Sequence, residues 1–167
     1  MEQLYQQLIM DHAKDPSHKG LGESFDGESF QVNPMCGDQV RLQVQLRGQT
    51  PGQASDAIVL NGLAWDGRGC SISQASVSMM SELVAGRSAR EIARLEETFM
   101  ALMRSRGEGL TDPEEEEALG DALAFEGVSR YPARIKCALL GWMALKDALA
   151  KAEVGDASPA AIPEGWE

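Results

Sequence analysis

Cys36, Cys70 and Cys137 are the only cysteines of the chain, and Asp38 stands two residues after the first. Three thiolates and one carboxylate complete a tetrahedral zinc shell, or supply most of an iron–sulfur cluster site with a weak fourth ligand. Each thiol has a marked local setting: Asn33-Pro34-Met35-Cys36-Gly37-Asp38, Gly67-Arg68-Gly69-Cys70-Ser71, and Arg134-Ile135-Lys136-Cys137. Asn-Pro before Cys36 and Gly after it predict a turn that presents the sulfur outward. Cys70 directly precedes a helix, and Cys137 falls in the first or second turn of another. Free N–H groups and the dipole at a helix start stabilise a thiolate. The spacings match no zinc-finger ladder, so the settings carry the reading. If a soft metal binds, Cys36, Asp38, Cys70 and Cys137 are the expected ligands. Taken singly, each thiol also fits a small buried hydrophobe, Cys137 above all.

Arg134 precedes Cys137 by three residues and so shares its helix face. Its guanidinium could offset the excess negative charge of three thiolates and a carboxylate around one divalent ion; a plain surface Arg is the alternative. Lys136 is on another face and is a poor ligand while protonated. His12 reads as a packing or capping residue of the first helix, and His18 as part of a polar loop. Met79, Met80, Met100 and Met103 fall at core spacing.

The elements that must position these residues follow from periodicity. Leu4, Leu8, Ile9 and Ala13 predict an amphipathic helix over 2–14, ended by Pro16. Residues 15–30, with Pro, Gly and Ser, read as an irregular connection. Val40, Leu42, Val44 and Leu46 alternate with polar residues and predict a half-buried strand. A turn over Gly48–Ser55 leads to a second strand beginning at Ala57-Ile58-Val59-Leu60, and Leu63-Ala64-Trp65 makes a third apolar stretch. From Ser71 the chain reads as helical, with capping-box form at Ser71–Gln74 and Ser88 capping the next helix. Asp112 or Thr111 with Pro113 and the acids Glu114–Glu117 suit another helix start. A last helix runs from about Pro132 to Lys151. Residues 1–151 therefore read as one domain and 152–167 as a flexible tail.

With 167 residues, 43% apolar and 25% charged, the chain can bury a core without cross-links. An odd cysteine count argues against a disulfide framework, and a reducing cytoplasm is the simplest location. Leu4–Met10 is too short and polar to span a membrane. The net charge of −11 makes nucleic acid and anionic membrane poor partners, and favours a protein with a basic contact surface.

The segments Asn33–Asp38, Gly69-Cys70-Ser71-Ile72-Ser73-Gln74-Ala75-Ser76 and Arg134-Ile135-Lys136-Cys137-Ala138 resemble the three motifs of the U-type iron–sulfur cluster assembly proteins. With Leu4-Tyr5 and Asp11-His12 the resemblance covers about nine-tenths of the chain, the tail excepted. The chain is similar to the SufU branch rather than the IscU scaffold branch: Lys136 stands where IscU-type sequences have His, Arg134 matches the SufU pattern, and Glu91–Asp121 looks like the SufU helical insertion. The resemblance implies an α+β fold, a small antiparallel three-stranded sheet packed against helices. It implies zinc held by Cys36, Asp38, Cys70 and Cys137. It further implies a zinc-dependent sulfurtransferase, with Cys36 accepting persulfide sulfur from the cysteine desulfurase SufS and passing it toward the SufB–SufC–SufD complex, while a His of the desulfurase takes the vacated coordination position. Two other readings use the same residues: a scaffold on which an iron–sulfur cluster is built, binding iron or a cluster in place of zinc, and a zinc-stapled adaptor.

Overall fold

The computed structural model describes residues 2–15, 20–48 and 58–166. His18, and most of the turn expected before the second strand, lie outside these residues. The element order is α1 (Glu2–Lys14), β1 (Gly27–Asn33), β2 (Asp38–Arg47), β3 (Val59–Arg68), α2 (Ser71–Val84), α3 (Ala89–Met103), α4 (Pro113–Leu119), a 3-10 segment (Gly120–Arg130) and α5 (Pro132–Glu153). The strands form one antiparallel sheet in the order β1-β2-β3. The fold is α+β, as expected.

Alternation along β2 decides which face is covered. Val40, Leu42 and Val44 are buried against the helical layer, where Ala75, Val77 and Met80 of α2 and Ala144, Leu145 and Ala148 of α5 meet them in one core. Phe99 of α3 stacks on Trp142 of α5 with ring centroids 5.1 Å apart and meets Phe125 edge-on at 5.9 Å. The stretch that resembles an insertion is thereby tied into the same core. Ser88 caps α3 in a reciprocal box with Glu91, and Asp112 caps α4 ahead of Pro113, as their sequences predict.

Three expectations need correction. The stretch read as irregular up to residue 30 contains the start of β1. Its inward positions are Gly27, Ser29 and Gln31, paired with Val44, Leu42 and Val40. α5 approaches so closely that a Cβ on Gly27 would collide with the Ala148 carbonyl, and Ser29 Oγ donates to Asp147 Oδ2 at 2.7 Å. Small and polar residues fill that face, which removes the alternation that marks a strand. Secondly, the apolar pair Val59-Leu60 and the stretch at 63–65 lie on one strand, β3, while Ala57 falls outside the described residues. Gln45 pairs with Gly62 and Leu46 with Leu60, so Asn61 is an extra residue at a bulge rather than a break. Thirdly, Ser71 is the first residue of α2 rather than its cap. Cys70 holds the N-cap position without a side-chain cap bond.

Residues 154–166 carry no helix or strand. Ala160 is buried, and its N–H donates to Glu28 Oε1 at 2.9 Å. Glu28 also receives Arg41 Nη1 at 2.8 Å and Gln43 Nε2 at 2.7 Å. Ile162 and Trp166 flank a cavity of about 210 Å³ with Phe30, Gln39 and Arg41.

Candidate metal centre

The β1–β2 hairpin brings the first two candidate ligands into place. Asn33 and Asp38 are partners in the ladder, and the Asn33 carbonyl accepts from Cys36 N at 3.2 Å and Gly37 N at 2.9 Å. Asn33 Oδ1 accepts from Met35 N at 3.3 Å, the side-chain turn that Asn before a tight loop provides. Gly37 closes the loop at φ +71°, a left-handed conformation that Gly adopts freely. Cys36 and Met35 are exposed at the tip, and Asp38, the first residue of β2, is fully buried.

β3 leads through Gly69 into α2. Gly69 has φ +152°, and a Cβ there would run into the Asp38 carboxylate and the Ser73 hydroxyl. That close approach lets Asp38 Oδ1 accept from the Cys70 N–H at 2.9 Å, with Oδ2 3.6 Å from Cys70 Sγ. The carboxylate therefore sits at the N-terminus of α2, where free N–H groups favour negative charge. Cys70 itself is exposed.

Cys137 lies in the second turn of α5 and is buried. Its Sγ is 3.3 Å from Cys36 Sγ, and Asn33 Nδ2 donates to it at 3.5 Å. Burial pushes the Cys137 thiol far above its ordinary value; hydrogen bonds with Asp38 and Cys36 and the negative charges of Cys70 and Asp38 push it the same way. Such a crowd of acidic groups is favourable only with protons or a cation among them, and a bound cation reverses the shift by taking the thiol as thiolate. The donor set fits a soft divalent ion. The ligand atoms of Cys36, Asp38 and Cys137 all lie within 4.8 Å of one another. Cys70 stands outside that set and reaches it through Asp38.

Arg134 is exposed one turn before Cys137, its guanidinium 5.2 Å from the Tyr131 ring centroid. Arg134, Tyr131 and the three cysteines line a groove of about 750 Å³, walled on its other side by Tyr5, Ile9 and Met10 of α1. His12 faces away from this centre and joins Ser78 of α2. Sequence reasoning missed Asn33 as a member of the site. Its place in an Asn-Pro turn was visible, but its reach to a sulfur 104 residues away was not.

A buried carboxylate, a buried thiol and an exposed thiol on a hairpin tip make a mixed sulfur and oxygen donor set of the kind that can hold a metal ion. The sequence profile of the NifU-like N-terminal domain matches residues 4–138, and the chain belongs to that family. It is 37% identical over 157 residues to the zinc-dependent sulfurtransferase SufU of Bacillus subtilis, covering 93% of this chain and 96% of that protein. It is likewise 37% identical to the iron–sulfur cluster assembly scaffold protein IscU of Streptococcus pyogenes serotype M1, covering 89% of this chain and 84% of that one. Among solved structures, a putative iron–sulfur cluster assembly scaffold protein for the SUF system from Fervidobacterium islandicum superposes with a TM-score of 0.74 at 30% identity, covering 89% of this chain and 98% of that one. Among the described residues, no helix is long and apolar enough to cross a membrane.

Proposed function

We propose that the chain is a zinc-dependent sulfur acceptor of iron–sulfur cluster assembly, charged by a cysteine desulfurase of the SufS type and discharged to the SufB–SufC–SufD machinery. The observation that carries this reading is the asymmetry of the three thiols. Cys36 is exposed on a hairpin loop held by bonds to Asn33 and by the contact of its sulfur with Cys137, whereas Cys137 is buried in α5 and Cys70 is tied to the start of α2. A loop thiol can meet a partner's sulfur without disturbing the helices.

Zinc, held by Cys36, Asp38, Cys70 and Cys137, would keep the sulfurs as thiolates and add no redox chemistry that could oxidise a persulfide. The Cys36 thiolate attacks the outer sulfur of the desulfurase persulfide. The new bond is Cys36 S–S, the broken bond is the desulfurase's own S–S, and the desulfurase cysteine leaves as thiolate. Asp38 and Cys137 stay in place because they are anchored in β2 and α5. Arg134 lies on the same groove and offers its guanidinium to the anionic sulfur during transfer.

The relatives named as scaffolds support a second reading, in which the same residues hold an iron–sulfur cluster. Lys136, exposed and cationic in the position before Cys137, weighs against it, because it adds no ligand there. Elemental analysis of protein purified without added metal separates the two. Zinc near one per chain is the expected result; iron with acid-labile sulfide would favour the scaffold.

A further inference from the structure

The chain as a whole carries a net charge of −11, yet the surface beside the thiols runs the other way. Arg130 and Arg134 both line the groove that holds the three cysteines, and both are exposed. Arg130 lies directly on Gly107, where a Cβ would collide with its Nε, Cγ and Cδ. Arg106 precedes that glycine and is exposed as well, so a third arginine adjoins the groove. Among the described residues, none of the three has a carboxylate within ion-pair distance; the ion pairs present use other cations.

Two features mark this as a contact surface rather than solvated charge. Arg106 has φ +53°, and among the described residues it is the one non-glycine with positive φ. Such backbone persists only where its surroundings enforce it. Here the Gly107 N–H donates to Ser129 Oγ at 2.6 Å and the Gly109 N–H to Ser105 Oγ at 3.1 Å. These bonds tie the loop of Arg106 to the residue before Arg130. The second feature is apolar: Tyr131 and Met10 line the groove, Met35 stands beside Cys36 on the hairpin tip, and all three are exposed. Arginine mixed with Met and Tyr is the composition of a protein interface.

We propose that this surface is a docking track for an acidic, apolar segment of the protein that exchanges sulfur with Cys36. An extended chain lies in the groove, with an apolar side chain against Met10 and Tyr131 and carboxylates on Arg130 and Arg106. The inference rests on the sulfur-acceptor reading for its partner, and adds what that partner must present. A groove of about 750 Å³ is far more than the two sulfurs of a persulfide fill. Whole-chain charge favours a basic partner surface, but at the groove the complement is acidic. Nucleic acid fits worse, because Glu126 in the groove and Glu108 beside the arginines repel phosphate.

The test uses full-length zinc-loaded protein and two short fluorescent peptides, one alternating Glu with Leu, the other with Lys in place of each Glu. Fluorescence anisotropy should show binding of the acidic peptide that weakens with salt, and none of the basic one. The Arg106→Glu, Arg130→Glu double variant should bind the acidic peptide about tenfold or more weakly, with zinc content unchanged. It should also need about tenfold more SufS-type desulfurase for half-maximal persulfide loading of Cys36, at an unchanged maximal rate. Equal binding of the basic peptide, tighter binding of a uridine oligonucleotide, or no peptide binding up to millimolar concentration would overturn the track. Wild-type desulfurase dependence in the double variant would overturn it too, and leave the sulfur-acceptor reading standing. Acidic-peptide binding by wild-type protein that is never loaded with sulfur would do the reverse. Should the charge reversal unfold the chain, NMR shift changes of the wild type on adding the acidic peptide decide: at Arg106, Gly107, Arg130 and Tyr131 if the track is right, elsewhere if it is wrong.

Discussion

Asn33 links the two sulfurs that stand closest together. Its amide oxygen shapes the loop under Cys36 while its amide nitrogen donates to Cys137 Sγ. Replacing it with Ala removes a donor to a thiolate and an acceptor from the loop, a loss of about 1.5–3 kcal/mol for the charged bond. Asn33→Ala should therefore weaken zinc binding by tenfold or more in a chelator competition, while far-ultraviolet circular dichroism stays native. Cys137 carries a pH prediction of its own. Its raised thiol pKa means the fold favours the protonated form, so without metal it stabilises the fold below the unfolded thiol value of 9.0 and the contribution fades above it. With zinc the sign is opposite, because protons compete with the metal and affinity rises with pH. Thermal melts from neutral pH to above about pH 9 should show the metal-free protein losing stability while the zinc form keeps it. Arg134→Ala should keep zinc and fold yet lose most sulfur acceptance; wild-type transfer by that variant would make Arg134 a surface residue only.

At the scale of elements, two glycines separate backbone need from close approach. Gly37 has positive φ and open space beside it, so Gly37→Ala should cost about 1–2 kcal/mol and leave the metal set intact. Gly69→Ala also drives a methyl into Asp38, so it should cost more and displace the carboxylate from the Cys70 N–H. Melting temperature and metal affinity read together distinguish them. The same comparison shows what the sequence could carry. Cys36, Asp38 and Cys137 were legible as candidate ligands because each has a local setting of its own, and β2 was legible because Val40, Leu42 and Val44 alternate into a deep core. β1 was hidden because its inward residues are dictated by the approach of α5, a contact between segments more than a hundred residues apart. The Asn61 bulge broke a pattern that the strand itself does not break.

Over the whole molecule, one side of the sheet is closed by helices, and the thiols gather where the β1–β2 hairpin loop, the β3–α2 junction and the start of α5 meet. The fold holds Asp38 and Cys137 in its interior and leaves Cys36 at the rim of a groove open to a partner. Removing residues 154–167 takes one of three donors from buried Glu28, and should lower stability by about 1 kcal/mol without changing zinc content. On the proposed function, the arrangement as a whole serves one event, the arrival of a sulfur atom on Cys36. Mass spectrometry of the zinc form after incubation with a SufS-type desulfurase and cysteine tests this most directly. Persulfide should be found on Cys36, absent from Cys70 and Cys137, and should fall sharply in protein stripped of zinc. Persulfide spread evenly over the three cysteines, or formed equally well without zinc, would contradict the account.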